Sequence, residues 1–314
     1  MKKYLILAAA AIAMASCSND DGANIANDGT IRLTTGVGKG STRTIDQTVQ
    51  ATQIANGGKV AVEFTSSVAA DAVDGWTSGN ATTTATYTAD GNGNLSGSIV
   101  KWPKSTAGTE TVSIEAWAPF TAKPTLDTYK FEVKDDQSTE ANYVASDYLY
   151  GTRAAFGNSV IASPVLVTFD HKLAKINVNV TAADGSSVTG AKIVFGPAGL
   201  KRNATLKANG VVDASASTVS GAITMATALD ANATASCIII PQTISASVGS
   251  PADLFTVTLG ANTFTCQISA DKTFDPTKVY TFNLSLSDGT TIVLSEQIND
   301  WTPAGAAESV IAKQ

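Results

Sequence analysis

From residue 30 onward the apolar side chains recur at every second position. Ile31, Leu33, Thr35 and Val37 set the pattern, and Val60, Val62 and Phe64 repeat it. Further runs follow at Tyr129–Val133, Val165–Phe169, Ile176–Val180, Phe255–Leu259, Phe264–Ile268 and Tyr280–Leu286. A period of two puts successive side chains on opposite faces, which is the signature of a strand with one buried face. No stripe of useful length has the 3.6-residue period of a helix. The Ala-rich stretch 222–235 is interleaved with Thr, Asn and Ser, which lower helix propensity, so loop or short strand is expected there. Turn clusters punctuate the runs: Asn56-Gly57-Gly58, Asp90-Gly91-Asn92-Gly93-Asn94, Ala183-Asp184-Gly185 and Gly260-Ala261-Asn262. The last lies between two alternating runs at short range and predicts a hairpin. Many short strands with frequent turns indicate an all-β chain packed as sandwiches. At 314 residues there is room for two. The polar stretch 134–163 ends before a fresh pair of strands, which places the boundary near Ala162-Ser163-Pro164 and gives sandwiches over 30–163 and 164–314.

The first 29 residues are of another kind. Lys2 and Lys3 precede an apolar run, Leu5 to Ala15, that covers about one-third of the roughly 30 Å hydrocarbon core of a bilayer. That is too short to span and suits an export signal. Met14-Ala15-Ser16-Cys17 then resembles a bacterial lipobox, with small residues before the cut and a thiol to accept the lipid; an ordinary cleavage site followed by a chance cysteine is the alternative. The expected division is residues 1–16 as signal peptide, cut before an acylated Cys17, and 17–29 as tether. Several acyl chains give a stable anchor, since each buried methylene contributes about 0.8 kcal/mol. Ser18-Asn19-Asp20-Asp21 is similar to the acidic tag that sends lipoproteins of the Bacteroidetes to the cell surface, and reads equally well as a polar tether.

Composition narrows the function. The chain carries 27 acidic and 21 basic residues, a net charge of −6, and no basic block, which argues against a nucleic-acid partner. A single His removes multi-His metal sites and leaves little for a Ser/His/Asp relay, so no catalytic residue, metal or cofactor is assigned. His171 reads as a sandwich-edge histidine bonded locally. Acidic pairs such as Asp135-Asp136 lack the spacing of a calcium loop.

Three segments, in this order and spacing, carry a family resemblance. Trp102-Pro103 precedes a strand ending in Trp117-Ala118-Pro119; Asp136-Gln137-Ser138 precedes Asp147-Tyr148-Leu149-Tyr150-Gly151; and residues 164–180 read PVLVTFDHKLAKINVNV. Ile298-Asn299-Asp300-Trp301 adds a fourth. Together they resemble the fimbrillin (Mfa-like) family of Bacteroidetes, lipoprotein precursors of type V pilus subunits. Tyr148 and Gly151 depart from the Leu and Ala expected there. The resemblance implies two tandem transthyretin-like β-sandwich domains and a role in assembly. It further implies that an Arg-directed protease cuts after the first strand and that a neighbouring pilin subunit's strand fills the groove that opens. Arg43, between Thr42 and Thr44 in a Gly/Ser/Thr-rich loop, is the cleavage candidate, and Arg32, within the strand, is disfavoured. The expected donor is the tail from about Thr290, through Thr291–Leu294 or Ser309–Ala312; alternatively both are ordinary strands and the subunit is a tip or accessory adhesin.

Two further sites stay open on the residues themselves. Cys237 and Cys266 lie in apolar strands and form either a disulfide, allowed by an oxidising envelope, or two buried thiols. Trp76, beside Gly75 in a polar loop, is the tryptophan expected to be exposed, as a glycan contact. The two function classes are therefore a fimbrillin-like structural subunit or tip adhesin of a cell-surface pilus, and a non-polymerising surface lipoprotein that binds glycan or host protein through loops. Both place the chain at the outer membrane, anchored to lipid through Cys17.

Overall fold

The structure, a computed structural model, describes residues 28–37, 53–104, 109–158, 164–287 and 291–301. Strands dominate as the alternation requires, and among the described residues there is one α-helix. The first strands are β1 (Leu33–Val37), β2 (Lys59–Ser66), β3 (Thr82–Ala89), β4 (Asn94–Gly97), β5 (Thr111–Ala118) and β6 (Lys130–Glu132). After α1 (Glu140–Ala145) come β7 (Leu149–Gly157) and β8 (Val165–His171). All of these strands but β6 form one closed ring, in the order β1-β4-β3-β2-β5-β7-β8 and back to β1. Its core holds Val60, Val62, Phe64, Val112, Ile114, Val167 and Phe169, all fully buried or nearly so. β1 joins β4 to β8, the two strands that would otherwise be the edges of this sheet.

The remaining strands are β9 (Ala174–Ala182), β10 (Lys192–Phe195), β11 (Asn203–Leu206), β12 (Val212–Asp213), β13 (Ile223–Ala226) and β14 (Thr234–Ile239). They are followed by β15 (Gln242–Ile244), β16 (Ala252–Leu259), β17 (Asn262–Ile268), β18 (Lys272–Phe274), β19 (Lys278–Ser287) and β20 (Thr291–Asp300). Two four-stranded sheets, β13-β10-β16-β17 and β14-β9-β19-β20, share a second core. Phe255 joins them, 5.4 Å from Phe195 in its own sheet and 5.0 Å from Phe282 in the other, ring centre to ring centre. The predicted hairpin is β16–β17: Leu259 pairs with Asn262 across a two-residue turn, and Gly260 takes a φ of 60°. The 222–235 stretch contains β13 and the start of β14, not a helix.

The change of cores comes later than the composition suggests. β8 pairs with β7 and, in parallel, with β1, so residues 164–171 close the first ring. Leu173 and Ala174 belong to the second core, which moves the crossover to Lys172-Leu173. The chain also makes an earlier excursion. Phe120, Phe131, Val133, Tyr143 and Tyr148 pack in the second core, and β6 pairs with β11. Asp135 and Gln137 exchange backbone hydrogen bonds with Thr224 on β13, while the Gln137 side-chain amide bonds the Ile238 N–H and carbonyl on β14, each at 2.8 Å. A polar stretch marks a loop, but its composition does not say which core the next strand joins.

Candidate functional site: the β1 slot and the junction behind it

β1 is held as an inner strand. It runs parallel to β8, from Leu33 opposite Val165 to Val37 opposite Phe169, and antiparallel to β4 through Leu33–Leu95 and Thr34–Asn94. The backbone bonds continue beyond the strand: Ile31 N–H donates to Val100 O at 2.8 Å, Val165 N–H to Arg32 O at 2.7 Å, and Thr35 N–H to Gly93 O at 2.7 Å. Ile31, Leu33, Thr35 and Val37 point inward at 1 %, 2 %, 4 % and 0 % exposure. Burying each of the three aliphatics contributes about 1.5–3 kcal/mol. On the outer face Gly36 lies under the half-exposed Leu166; a Cβ on Gly36 would come within 3.7 Å of Leu166 Cδ1.

The alternation gives β1 these inward places, but it does not show that β1 is the one strand linking β4 to β8. Its removal would leave both neighbours with an unpaired edge and uncover the core between them. The third inward place is polar. Thr35 Oγ1 lies 3.5 Å from the Gly93 carbonyl, and near the Gly93 α-carbon Gln53 Oε1 is buried without a hydrogen-bond partner. Gly93 is required here: its φ is 96°, and a Cβ would sit 2.6 Å from Gln53 Oε1 and 3.2 Å from the Thr35 carbonyl.

Behind the slot is the junction between the cores. Ala61, Trp117 and Tyr150 face each other across β2, β5 and β7 on the outside of the ring, and all three pack into the second core. Trp117 and Tyr150 meet edge to face at 6.0 Å, Lys123 Nζ lies 5.5 Å over Trp117, and the Tyr150 hydroxyl donates to Glu115 Oε1 at 2.8 Å. Burial, this bond and the Glu115 charge push the Tyr150 phenol pKa upward. At the end of β8, His171 Nδ1 is 2.9 Å from Asp147 Oδ1, with the two side chains 4 % and 1 % exposed. Its ring stacks on Trp301 at 4.0 Å and 6°. The partner is thus 24 residues away in sequence, not local as the strand-edge reading expects. Three of the segments that carry the resemblance, 147–151, 169–176 and 298–301, converge at this point. The departures also find reasons: Tyr148 packs against Phe120 and Phe131, and Gly151 backs the Phe169 ring, which a Cβ would meet at 2.8 Å.

The other predicted residues lie apart. Trp76 is 6 % exposed and its indole N–H donates to Lys101 O at 2.8 Å, so it is part of the first core and not a sugar platform. The loop hydropathy hid this, because the loop packs against residues 99–101, where the Lys101 N–H donates to Asp74 O at 2.9 Å. Cys237 on β14 and Cys266 on β17 are free thiols on different sheets, each packed in the second core, and the bridge is not formed. Burial pushes both thiol pKa values up, that of Cys266 to about 11. Thr291–Leu294 forms the start of β20, in antiparallel register with β19. Cys17, Arg43 and Ser309–Ala312 lie outside the described residues. Among the described residues no group of three His, Cys, Asp or Glu could hold a metal, and no helix is long and apolar enough to cross a membrane.

Fold and site define an all-β protein of two cores whose first core is closed by its own N-terminal strand. Residues 23–301 match the fimbrillin-like family, and the chain belongs to that family. Two crystal structures show the same fold. One is a candidate cell adhesion protein from Bacteroides uniformis, 19 % identical, with 88 % of this chain and 100 % of that one covered at a TM-score of 0.57. The other, a candidate cell adhesion protein from Bacteroides ovatus, is 16 % identical, with 88 % and 99 % covered at a TM-score of 0.60. No curated protein matches the chain.

Proposed function

We propose that the chain is a cell-surface fimbrial subunit in which β1 is a removable strand. It is exported as a lipoprotein anchored through Cys17, with 1–16 as signal and 17–29 as tether. Cutting at Arg43 releases β1, and a strand from a neighbouring subunit takes its place. The observation that carries this reading is the position of β1 as sole link between β4 and β8 among the described residues. An incoming strand would restore main-chain bonds on both sides and refill the inward places. In this reading the two cores are the two transthyretin-like units of the family.

The arginines support the choice of cut. The chain has four, and three are tied into structure. The Arg32 carbonyl accepts from Val165, Arg153 pairs with Ile114 inside the ring, and Arg202 is bonded to Val219 with its side chain 12 % exposed. A protease needs an extended, unpaired segment, so these three are poor sites, and Arg43, in its Gly/Ser/Thr-rich stretch of sequence, is the proposed cut. The pairing of β20 with β19 favours a tip or accessory position over a stalk, because that candidate donor strand is already in use. The burial of Trp76 removes the residue on which the glycan-binding alternative stood.

The test is made on cells. The mature protein should begin at Thr44, lack lipid and run in high-mass assemblies, whereas the Arg43→Ala form should stay lipid-anchored and outside them. An Arg43→Ala protein that enters the assemblies as well as the natural one would refute the mechanism.

A further inference from the structure

The outer face of the sheet β14-β9-β19-β20 carries two complete rows of uncharged polar side chains. In register across the four strands, one row is Thr234, Asn179, Asn283 and Ser295. The next is Ser236, Asn177, Thr281 and Gln297. Ala235, Val178 and Phe282, which alternate with them, point into the second core, so the rows face outward. All eight residues are half-buried or exposed. They hold one another in place: Asn179 Nδ2 donates to Asn283 Oδ1 at 2.7 Å, Asn283 Nδ2 to Ser295 Oγ at 3.2 Å, and Ser236 Oγ to Asn177 Oδ1 at 2.9 Å. The amides keep further donors and acceptors for a ligand. At the β14 edge, Thr234 and Ser236 also line a pocket of about 360 Å³, whose walls include Glu140, Tyr143, Met225 and Asp230. Neither the rows nor the described lining of the pocket includes a lysine or arginine. Lys175, in the row beyond, is 4 % exposed and packs against Tyr143, with Nζ 5.9 Å from the ring centre.

We propose that this face binds a neutral glycan, with a terminal ring in the pocket and the following rings laid across the strands. The proposal goes beyond the assembly reading and does not depend on the removal of β1. It also owes nothing to Trp76, which lies in the other core. A sugar hydroxyl both donates and accepts, as the amide and hydroxyl side chains of the rows do, and a planar amide can meet two adjacent hydroxyls at once. Strands about 4.8 Å apart repeat a polar group at close to the length of one pyranose ring. The lack of charge in the rows sets the class of partner. A charged protein or nucleic-acid surface would bury its charges here against no counter-charge, whereas a neutral glycan carries no such cost. The pocket narrows the choice further. Glu140 is exposed at it, and the Asp230 carboxylate, fixed by the Asn232 N–H at 2.9 Å and Asn232 Nδ2 at 3.1 Å, adds a second negative charge. Hydroxyls of a neutral ring can donate to these groups, but a sialic or uronic acid would bring its carboxylate against them. Tyr143 and Met225 supply apolar surface for the C–H faces of the ring.

The experiment titrates the full chain by calorimetry with cellohexaose, mannohexaose and a neutral N-acetyllactosamine hexasaccharide. Each is compared with the form whose terminal hydroxymethyl group has been oxidised to a carboxylate. At least one neutral chain should bind, and its oxidised form should bind at least tenfold more weakly. Asn179→Ala together with Asn283→Ala should weaken the neutral chain about tenfold or more, through the loss of two hydrogen-bonding side chains. Gln297→Ala, at the edge of the sheet, should weaken it about threefold and keeps the test decisive if the double variant fails to fold. Thr84→Ala, an exposed change on β3, should leave binding unchanged. Thermal unfolding of each variant separates lost binding from lost structure. The proposal is overturned if none of the three neutral chains binds at millimolar concentration, if the oxidised form binds as tightly as its parent, or if binding is indifferent to the changes in the two rows.

Discussion

β1 and β20 lie near opposite ends of the chain and are held in opposite ways. β1 has a neighbour on each side and turns four consecutive inward places into the first core. β20 has one partner, β19, along ten paired positions, and its other edge is free of strand pairing among the described residues. From Ser295 to Asp300 none of its residues is fully buried, and it carries Glu296 and Asp300, each paired with a lysine. Charged residues on an edge discourage further strand addition. The strand proposed for removal is thus deep inside its core, and the strand considered as a donor is already a shielded edge. A strand leaves two unpaired edges and an uncovered core behind it only where its pairing is two-sided and its inward places are deep. The N-terminal end has that property and the C-terminal end does not.

The largest effect should come from forcing a charge into each strand in turn. Val37→Asp places an unpaired carboxylate at a fully buried position opposite Phe169 on β8. It should cost about 4 kcal/mol or more, whereas Ser295→Asp on the exposed face of β20 should stay within about 0.5 kcal/mol. Urea unfolding followed by Trp fluorescence measures both. Comparable losses at the two positions would erase the distinction.

A middle-sized effect tests the place where the two strands' cores meet. Trp301 follows β20 and stacks on His171 at the end of β8, the strand that also pairs with β1. Trp301→Ala should cost about 2–3 kcal/mol, less than a fully buried tryptophan because Trp301 is only partly covered. Trp301→Phe should recover more than half of it, because a ring can still stack. If Trp301→Ala is neutral, the C-terminal strand is independent of the first core and the contrast becomes sharper still.

Much of this arrangement was legible in the residues, and the misses share a cause. Alternation placed β1, β8, β9, β16, β17 and β19, because period two is a local property of a half-buried strand. Ile31 to Val37 even showed its inward places. Ring closure by β1 could not be seen, since it depends on which edges meet at long range. The boundary at residue 163 failed for the same reason: β8 looks like the first strand of a new unit until its partners are known. Trp76 was misread because a polar loop can still fold its one large apolar side chain inward. The pair Asp147–His171 joins positions 24 apart, and its stacking partner Trp301 is 130 residues further on, so no spacing rule finds the cluster. The family resemblance pointed at all three segments without saying that they touch.

The smallest expected effect is the absence of a change, and it separates the two cores most cleanly. Cys237 and Cys266 are buried in the second core, so both are natural reporters of its integrity. Burial raises their pKa values, that of Cys266 from 9.0 to about 11. A thiol reacts as its thiolate, so the folded protein should be slow towards a disulfide reagent at pH 8, and unfolding should make it fast. The sign of the pH effect follows. Between pH 9 and 11 the unfolded Cys266 gives up its proton while the folded one keeps it, so stability falls as pH rises through that window and is fully present below it. Cutting the chain after residue 43 and stripping β1 opens the first core, but the second core has its own two sheets and gains no new edge from the loss. Thiol reaction rates at pH 8 should therefore stay within about twofold of the uncut protein. A rise approaching the unfolded rate would mean that the cores unfold as one cooperative unit, and that β1 holds both together through the Trp117–Tyr150 junction.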